Sequence, residues 1–260
     1  MSKDKLRLYY TWRDGDKDDS LIEDDLRERW LKELSPEKKA AVSRLLHKTD
    51  QDSSLLGLQL LKYCAHDLQV AEFSLSGIAY PEAGKPFWQG RTLSDNNLGD
   101  NEETNPFSFD FNISHSDKLV MVVASTDRRV GVDVEKIRPL KNLNFKSVMR
   151  EHELLVIKKQ PEQFFRLWSI KEAVVKAANT AGLSRMLEVI IDDDKCTNMT
   201  NDNCSCMAEF ESQHWHLKQC CVTNAAQDKK FSIAVATSQA LDSLEPVFVG
   251  IDMMTNNFSD

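Results

Sequence analysis

The sequence has no long apolar run, and its 260 residues include fewer basic than acidic side chains. No stretch approaches the roughly 20 consecutive apolar residues that a membrane-spanning helix needs. Residues 2–5 are polar and do not begin the apolar core of a secretion signal. These absences predict a cytoplasmic protein without a membrane partner. The formal net charge of −8 also argues against a general nucleic-acid-binding protein, so a phosphate-rich ligand would need a local group of basic side chains.

The cysteines lack the C-x₂-C spacing of common zinc sites. Cys204 and Cys206 are separated by a single residue, and His214 and His216 alternate as they would on a β-strand. This pattern favours a strand over a zinc site. The sequence also shows no internal repeat of fixed period.

Helical and strand patterns are mixed without the regular alternation of a parallel α/β fold, so we expect the α+β class. The length fits one large domain or two halves. We expect a strand at residues 6–12, an apolar helix at residues 54–64 and a hairpin formed by residues 119–125 and 130–134.

Two polar stretches, residues 89–108 and 192–206, are expected to be loops, and their role is left open.

The strand expected at residues 130–134 ends in acidic side chains. Asp133 and Glu135 stand at positions i and i+2, so both point to one face of the strand. Two neighbouring carboxylates repel each other unless positive charge lies between them, and a hard divalent cation is the usual partner. The pair therefore indicates a candidate Mg²⁺ site, although a solvated strand end would also fit.

Residues 168–177 are expected to form a helix. Glu172 and Lys176 are four residues apart on one helical face, with the acid N-terminal to the base. Alone, they would be an ordinary surface ion pair. Close to Asp133 and Glu135, however, Glu172 would add a third carboxylate and Lys176 would reach a phosphate oxygen.

Together the two motifs resemble the 4′-phosphopantetheinyl transferases of the surfactin-synthetase-activating type. That family carries a G-(V/I)-D-x-E strand followed, after a few tens of residues, by a W-(S/T)-x-K-E-(A/S)-x-x-K helix. This chain has GVDVE at residues 131–135 and WSIKEAVVK at residues 168–176. Two shorter motifs agree, GKP at residues 84–86 and FNISHS at residues 111–116.

The resemblance implies two similar α+β halves in a pseudo-twofold arrangement, with the active site in the cleft between them. The N-terminal half, residues 1–137, would contact the nucleotide of coenzyme A. The C-terminal half, residues 138–260, would carry the metal, the catalytic helix and the docking surface for a carrier protein. The two-half form implies a monomer.

The implied reaction transfers 4′-phosphopantetheine from coenzyme A to a serine of an apo acyl or peptidyl carrier protein domain. It releases 3′,5′-ADP and depends on Mg²⁺. The carrier would belong to a fatty acid, peptide or polyketide synthase, or to an aminoadipate reductase. The residues alone leave two alternatives, another Mg²⁺-dependent phosphate-ester enzyme and a non-enzymatic carrier-binding module.

The resemblance also implies roles for single residues. The catalytic residues would be Asp133, Glu172 and Lys176. The metal ligands would be Asp133, Glu135 and Glu172. Coenzyme A would be contacted by Lys38, Lys85, Ser114, His115 and Lys176.

A few positions depart from the family pattern or stay open. Ser53 stands where the family usually has an arginine for the 3′-phosphate, so that partner is not identified. Glu153 matches the glutamate of the family's F-S-x-x-E segment, but Arg150 stands at the position of the family's serine. Glu153 could therefore cap a helix, brace the structure or take part in catalysis. The general base is left open, and the hypothesis is that a carboxylate accepts the proton, either Glu172 directly or through a metal-bound water. The basic segment 136–150 fits either a solvated linker or a docking surface for an acidic carrier.

Overall fold

The computed structural model describes residues 5–13, 22–90, 109–140, 145–180, 182–192, 203–224, 229–241 and 243–256. Residues 91–108 and 193–202 of the two predicted loops lie outside this part of the chain.

The described helices and strands alternate irregularly along the chain. The α-helices are α1 (Asp24–Lys32), α2 (Pro36–Ser43), α3 (Lys48–Asp67), α4 (Glu151–Lys159), α5 (Gln163–Ala177) and α6 (Ile251–Asn256). The strands are β1 (Leu6–Trp12), β2 (Ile78–Ala79), β3 (Phe87–Trp88), β4 (Asp110–Ser116), β5 (Leu119–Ser125), β6 (Val130–Lys136), β7 (Ile190–Ile191), β8 (Asn203–Phe210), β9 (Gln213–Asn224), β10 (Lys229–Thr237) and β11 (Val247–Phe248). Within these residues, no helix combines the length and apolar character needed to cross a bilayer.

The chain divides into two compact units. Unit 1 comprises Met1–Pro81, Pro86–Arg128 and Glu245–Asp260, and unit 2 comprises Glu82–Lys85 and Arg129–Leu244. The predicted division after residue 137 differs from this, because β6 belongs to unit 2 and the C-terminal segment returns to unit 1.

Unit 1 is a four-stranded sheet in the order β11-β1-β5-β4, with α3 packed on one face. Strands β1, β5 and β4 pair antiparallel, and β11 pairs parallel with β1. Leu55 and Leu61 of α3 are buried with Val120 and Val122 of β5, as apolar side chains on the facing surfaces require.

Helix α3 lies close to the sheet at a glycine. A Cβ on Gly57 would lie only 2.7 Å from Cγ2 of Ile113 on β4. The missing side chain therefore lets the helix backbone approach the strand.

Unit 2 is a five-stranded antiparallel sheet in the order β6-β10-β9-β8-β7, with α5 across one face. Phe165, Ile170 and Val174 of α5 pack with Trp215 and Leu217 of β9 in its core. The mixed α+β class and the two sheets agree with the prediction.

Some strand predictions are confirmed and one is wrong. The strand at residues 6–12 is present as β1. The predicted hairpin of residues 119–125 and 130–134 does not form, because β5 pairs with β1 and β4 whereas β6 pairs with β10 in the other sheet. All seven residues of β5 are buried, so neither face carries a pattern that would identify its neighbour.

Candidate active site

The glycine of the GVDVE motif allows α5 to lie directly on β6. A Cβ on Gly131 would lie 2.2 Å from the carbonyl oxygen of Ala173 and 2.6 Å from the backbone nitrogen of Ala177. Any other residue here would push the helix off the strand. Asp133 is two residues further along the same strand face, so it also points at α5.

This packing brings two carboxylates around one ammonium group. Nζ of Lys176 lies 2.6 Å from Oδ1 of Asp133 and 3.0 Å from Oε2 of Glu172. The Asp133 side chain is 4% exposed, whereas those of Lys176 and Glu172 are 28% and 26% exposed. We call these three residues the acid–lysine cluster. Its buried acid faces the protein, and its other two members reach solvent.

Burial and charge shift both ends of this cluster. Burial raises the pKa of Asp133 well above its ordinary value, with the Lys176 ammonium opposing the rise and the Glu172 carboxylate adding to it. Burial alone would lower the pKa of Lys176, but the two carboxylates outweigh it and the pKa is raised. The lysine ammonium is therefore held in its charged form by the two carboxyl groups.

Glu135 shares the strand face of Asp133 and is half-buried, opposite Ser232 of β10. Across the described residues, no three His, Cys, Asp or Glu side chains converge closely enough to hold a metal ion. The structure thus brings together Asp133 and Glu172 of the three predicted ligands, with Glu135 further along the strand. Two carboxylates already suit Mg²⁺, which commonly takes one or two of them together with water and substrate phosphate.

Glu153 belongs to a separate buried ion pair. Its Oε2 lies 2.7 Å from Nζ of Lys171, and both side chains are fully buried. Nζ of Lys171 also donates to the carbonyl oxygens of Val148 and Met186. The backbone N–H of Arg150 donates to Glu153 over 2.7 Å, so Glu153 caps α4 and braces α5.

Lys85 of the GKP motif lies in unit 2. Its Nζ donates to the carbonyl oxygen of Val130 over 2.8 Å, at the start of β6. Its backbone N–H donates to Oδ1 of Asn179 over 2.7 Å. Gly84 adopts a φ of +90°, which favours glycine.

Unit 1 contains a cleft of about 180 Å³ beside β4. The cleft is lined by Lys38, Ser53, Ser54, Leu58, Tyr80, Pro86, Phe111, Asn112, Ile113 and His115. Two of the predicted coenzyme A contacts, Lys38 and His115, are therefore brought together there with Ser53. Ser114 is buried, alternates with His115 along β4 and does not line this cleft, so its contact with coenzyme A stays a prediction.

Lys38 reaches this cleft from the first turn of α2. Ser35 is the N-cap of α2, Pro36 is its first residue, and the Ser35 hydroxyl accepts a hydrogen bond from the backbone N–H of Lys38. Nζ of Lys38 lies 4.6 Å from the ring centroid of Tyr80. Burial lowers the pKa of Lys38 and raises that of Tyr80 to about 12.

Two residues in these sites were not predicted from the sequence. Tyr80 contacts the Lys38 ammonium, and nothing in its local pattern distinguishes it from other aromatic residues. The Oδ1 atom of Asn179 accepts a hydrogen bond from the backbone N–H of Lys85 in the GKP turn. An asparagine directly after a helix is a signal for a left-handed C-terminal cap, which Asn179 is, with a φ of 59°.

Known proteins share both units. The family model described as "4′-phosphopantetheinyl transferase superfamily" matches residues 129–236. A second model, "4′-phosphopantetheinyl transferase, N-terminal", matches residues 24–127. The two matches adjoin almost where the compact units divide.

Several curated relatives resemble most of the chain. It is 26% identical to 4′-phosphopantetheinyl transferase psf-1 of Bacillus pumilus over 83% of this chain and 85% of that protein. It is 29% identical to 4′-phosphopantetheinyl transferase Sfp of Bacillus subtilis over 65% of this chain and 70% of the relative. It is 23% identical to the L-aminoadipate-semialdehyde dehydrogenase-phosphopantetheinyl transferase of Schizosaccharomyces pombe over 66% and 69%. The chain thus belongs to the 4′-phosphopantetheinyl transferase superfamily, in its two-domain form, and is an enzyme that transfers 4′-phosphopantetheine to carrier proteins.

Proposed function

We propose that the donor is coenzyme A, that the acceptor is a serine hydroxyl of an apo carrier domain, and that the reaction depends on Mg²⁺. The observation that carries this proposal is the acid–lysine cluster, in which two acids and one base from both long motifs meet within hydrogen-bonding distance. Such a cluster offers ligands for a cation and a positive charge for a phosphate.

Asp133 and Glu172 would hold the metal, with Glu135 as the third candidate on the same strand face. When bound, Mg²⁺ would supply positive charge that stabilises the pyrophosphate as charge moves to the leaving group. Lys176 would leave its carboxylate partners for a phosphate oxygen, which its partly exposed side chain allows.

The remaining phosphate charge would be met by Lys38, Lys85 and His115. An imidazole beside a dianion is favoured in its cationic form, so His115 would act as a charged contact. Ser114, the buried neighbour of His115 on β4, would be a further contact of coenzyme A. Most of the catalysis would then come from positioning and charge stabilisation.

The proton of the attacking serine would go to Glu172. Its side chain is 26% exposed, whereas the Asp133 side chain is 4% exposed, so Glu172 is the more accessible of the two to a substrate hydroxyl. The serine oxygen would form a bond to the β-phosphorus, and the bond from that phosphorus to the bridging oxygen would break. The leaving 3′,5′-ADP would keep the electron pair. A Glu172→Gln enzyme that kept full turnover at saturating Mg²⁺ would exclude this role.

The acceptor would be a carrier domain of a fatty acid, peptide or polyketide synthase, or of an aminoadipate reductase. The relative from S. pombe, whose name joins the transferase to an aminoadipate-semialdehyde dehydrogenase, supports including the last of these. We further propose that the enzyme acts in the cytoplasm as a monomer.

Intact mass spectrometry on a panel of apo carrier domains tests the proposal. Each carrier is incubated with the enzyme, coenzyme A and Mg²⁺, and one carrier should gain the mass of a single phosphopantetheinyl group. EDTA and Asp133→Ala should each abolish the gain. Turnover of coenzyme A without any carrier would instead indicate a phosphohydrolase and contradict the proposal.

A further inference from the structure

We propose that Asn179 is a positioning residue that holds the GKP turn on the end of α5 and thereby places the ammonium of Lys85 for coenzyme A. The inference rests on the proposed role of Lys85 in binding a phosphate of coenzyme A. It concerns the residues of unit 2 alone.

The backbone of Asn179 is fixed by the way that α5 ends. The N–H of Asn179 donates to the carbonyl oxygen of Lys176 over 3.1 Å, and the N–H of Thr180 donates to that of Val175 over 3.1 Å. With its φ of 59°, Asn179 therefore occupies the left-handed position of a Schellman cap, which usually carries glycine. Lys176, a member of the acid–lysine cluster, is only three residues earlier.

An asparagine at this position does something that a glycine cannot do. Its Oδ1 accepts the backbone N–H of Lys85 over 2.7 Å. The fit is close, because a Cβ on Gly84 would lie 2.7 Å from the same oxygen, and Gly84 is also in a backbone conformation that favours glycine. The side chain of Asn179 and the missing side chain of Gly84 are thus complementary.

A second contact completes the attachment of the turn. Nζ of Lys85 donates to the carbonyl oxygen of Val130 over 2.8 Å, which fixes the direction of the side chain at the start of β6. An ammonium group has three N–H donors, so a bond to one carbonyl oxygen is compatible with binding a phosphate. Hydrogen bonds of Lys85 therefore join the turn both to β6 and to the end of α5.

This arrangement links a binding residue to the helix that carries the catalytic side chains. Without the Asn179 side chain, Glu82–Lys85 would lose its backbone hydrogen bond to the end of α5, and ordering of the turn would have to accompany binding. We expect this cost to weaken coenzyme A binding. The chemical step should be unaffected because Glu172 and Lys176 keep their places.

Asn179→Gly is the sharp test, because glycine keeps the left-handed cap and removes only the side chain. Hydrogen exchange on peptides covering residues 82–88 should show the Lys85 amide exchanging about tenfold faster, as expected for the loss of one hydrogen bond. The KM for coenzyme A should rise about three- to tenfold, with kcat within about twofold of the wild type. Asn179→Asp retains the acceptor oxygen and should restore the protection of the amide.

Lys85→Met and the Asn179→Gly, Lys85→Met double variant separate this inference from the proposed function. If Asn179 acts through Lys85, the double variant should have the KM of Lys85→Met alone. A raised KM for Lys85→Met with an unchanged KM for Asn179→Gly would overturn the inference and leave the proposed function standing. An unchanged KM for Lys85→Met would overturn the proposed role of Lys85 and the inference with it, and unchanged exchange of the Lys85 amide in Asn179→Gly would overturn the inference directly.

Discussion

In each unit a glycine lets a helix pack closely on a strand, but in unit 1 the glycine lies on the helix and in unit 2 it lies on the strand. In unit 1 the glycine is Gly57 on the helix, and it faces the side chain of Ile113 on a strand. In unit 2 the glycine is Gly131 on the strand, and it faces the backbone of Ala173 and Ala177 on the helix. A side chain can rotate away from a new methyl group, whereas a hydrogen-bonded helix backbone cannot do so without moving as a whole. A methyl group at Gly131 in unit 2 should therefore be tolerated less well than one at Gly57 in unit 1.

The two units also differ in how their polar side chains are arranged. The unit 1 cleft is largely apolar and presents Lys38 and His115 as its basic side chains. Unit 2 instead concentrates opposite charges in the acid–lysine cluster, one member of which is almost fully buried. A cleft of the first kind suits recognition of a nucleotide, and a cluster of the second kind suits charge stabilisation. Substitutions that line the unit 1 cleft should therefore change KM, and those in the acid–lysine cluster should change kcat.

The largest expected effect is that of Asp133→Asn. The substitution keeps the shape of the side chain and removes the charge that would hold a cation, so kcat should fall by about 10³-fold. Single-turnover transfer to a carrier domain measures this, and calorimetry with Mg²⁺ should show weaker metal binding. Asp67→Asn is the matched control, because it removes a carboxylate that pairs with Arg7 in unit 1. The comparison between the units would fail if Asp133→Asn kept more than about a tenth of the wild-type kcat.

The next effect is on stability, and it sets the two glycines against each other. Gly131→Ala should destabilise the protein by about 2–3 kcal/mol, because the new methyl group overlaps helix backbone. Gly57→Ala should change stability by no more than about 1 kcal/mol, since Ile113 can adjust and alanine is the better helix former. Thermal and denaturant unfolding of both variants provide the measurement. Equal losses would show that the backbone contact at Gly131 is not the stricter one.

Lys38→Met should raise the KM for coenzyme A about tenfold and leave kcat nearly unchanged. Methionine keeps a stem of similar length that can pack on Tyr80, so the change removes mainly the charge. Steady-state transfer assays with varied coenzyme A measure both constants. The matched control is Lys39→Met, which removes an exposed lysine from the same helix. A rise of similar size in the control would mean that net charge, not the cleft, is responsible.

The sequence predicted the local elements better than their pairing. The strand at residues 6–12 and the helix carrying Glu172 depend on neighbouring residues, and both are present. The hairpin prediction failed at β5 and β6 because two strands separated by a short turn usually pair, and here the turn instead leads from one compact unit to the other.

Strand β8 was also missed, and the reason is again local. Its residues alternate between exposed and partly buried positions, with few large apolar side chains. The turn that joins it to β9 uses Glu211 and Ser212 at φ values of 53° and 59°, where glycine or asparagine would be the expected signal. The sequence therefore offered neither a hydrophobic pattern nor a turn motif.

At the candidate active site, the motifs predicted which strand or helix carries each side chain but not which side chains contact one another. Asp133, Glu172 and Lys176 do meet, because their spacing follows from one strand and one helix. The buried partner of Glu153 is Lys171, which stands next to Glu172 in the motif but points away from the cluster to a different set of acceptors. Such contacts depend on tertiary packing, which sequence periodicity does not specify.

The smallest expected effect is a pH dependence that belongs to unit 1. Burial lowers the pKa of Lys38, so its ammonium loses its proton at a lower pH than an ordinary lysine does. The KM for coenzyme A should therefore rise as the pH increases from neutral, and the rise should approach but not exceed the effect of Lys38→Met. Transfer assays between about pH 7 and pH 10 measure it.

Unfolding cannot account for this rise through Lys38. Because the folded state binds this proton less tightly than the unfolded chain, the contribution of Lys38 to folding becomes more favourable as the pH rises through the lowered pKa. Because Lys38 loses its charge at high pH, the KM values of the wild type and Lys38→Met should converge there. If both rise in parallel, the titrating group lies outside the unit 1 cleft, and the assignment of Lys38 as its charged contact is wrong.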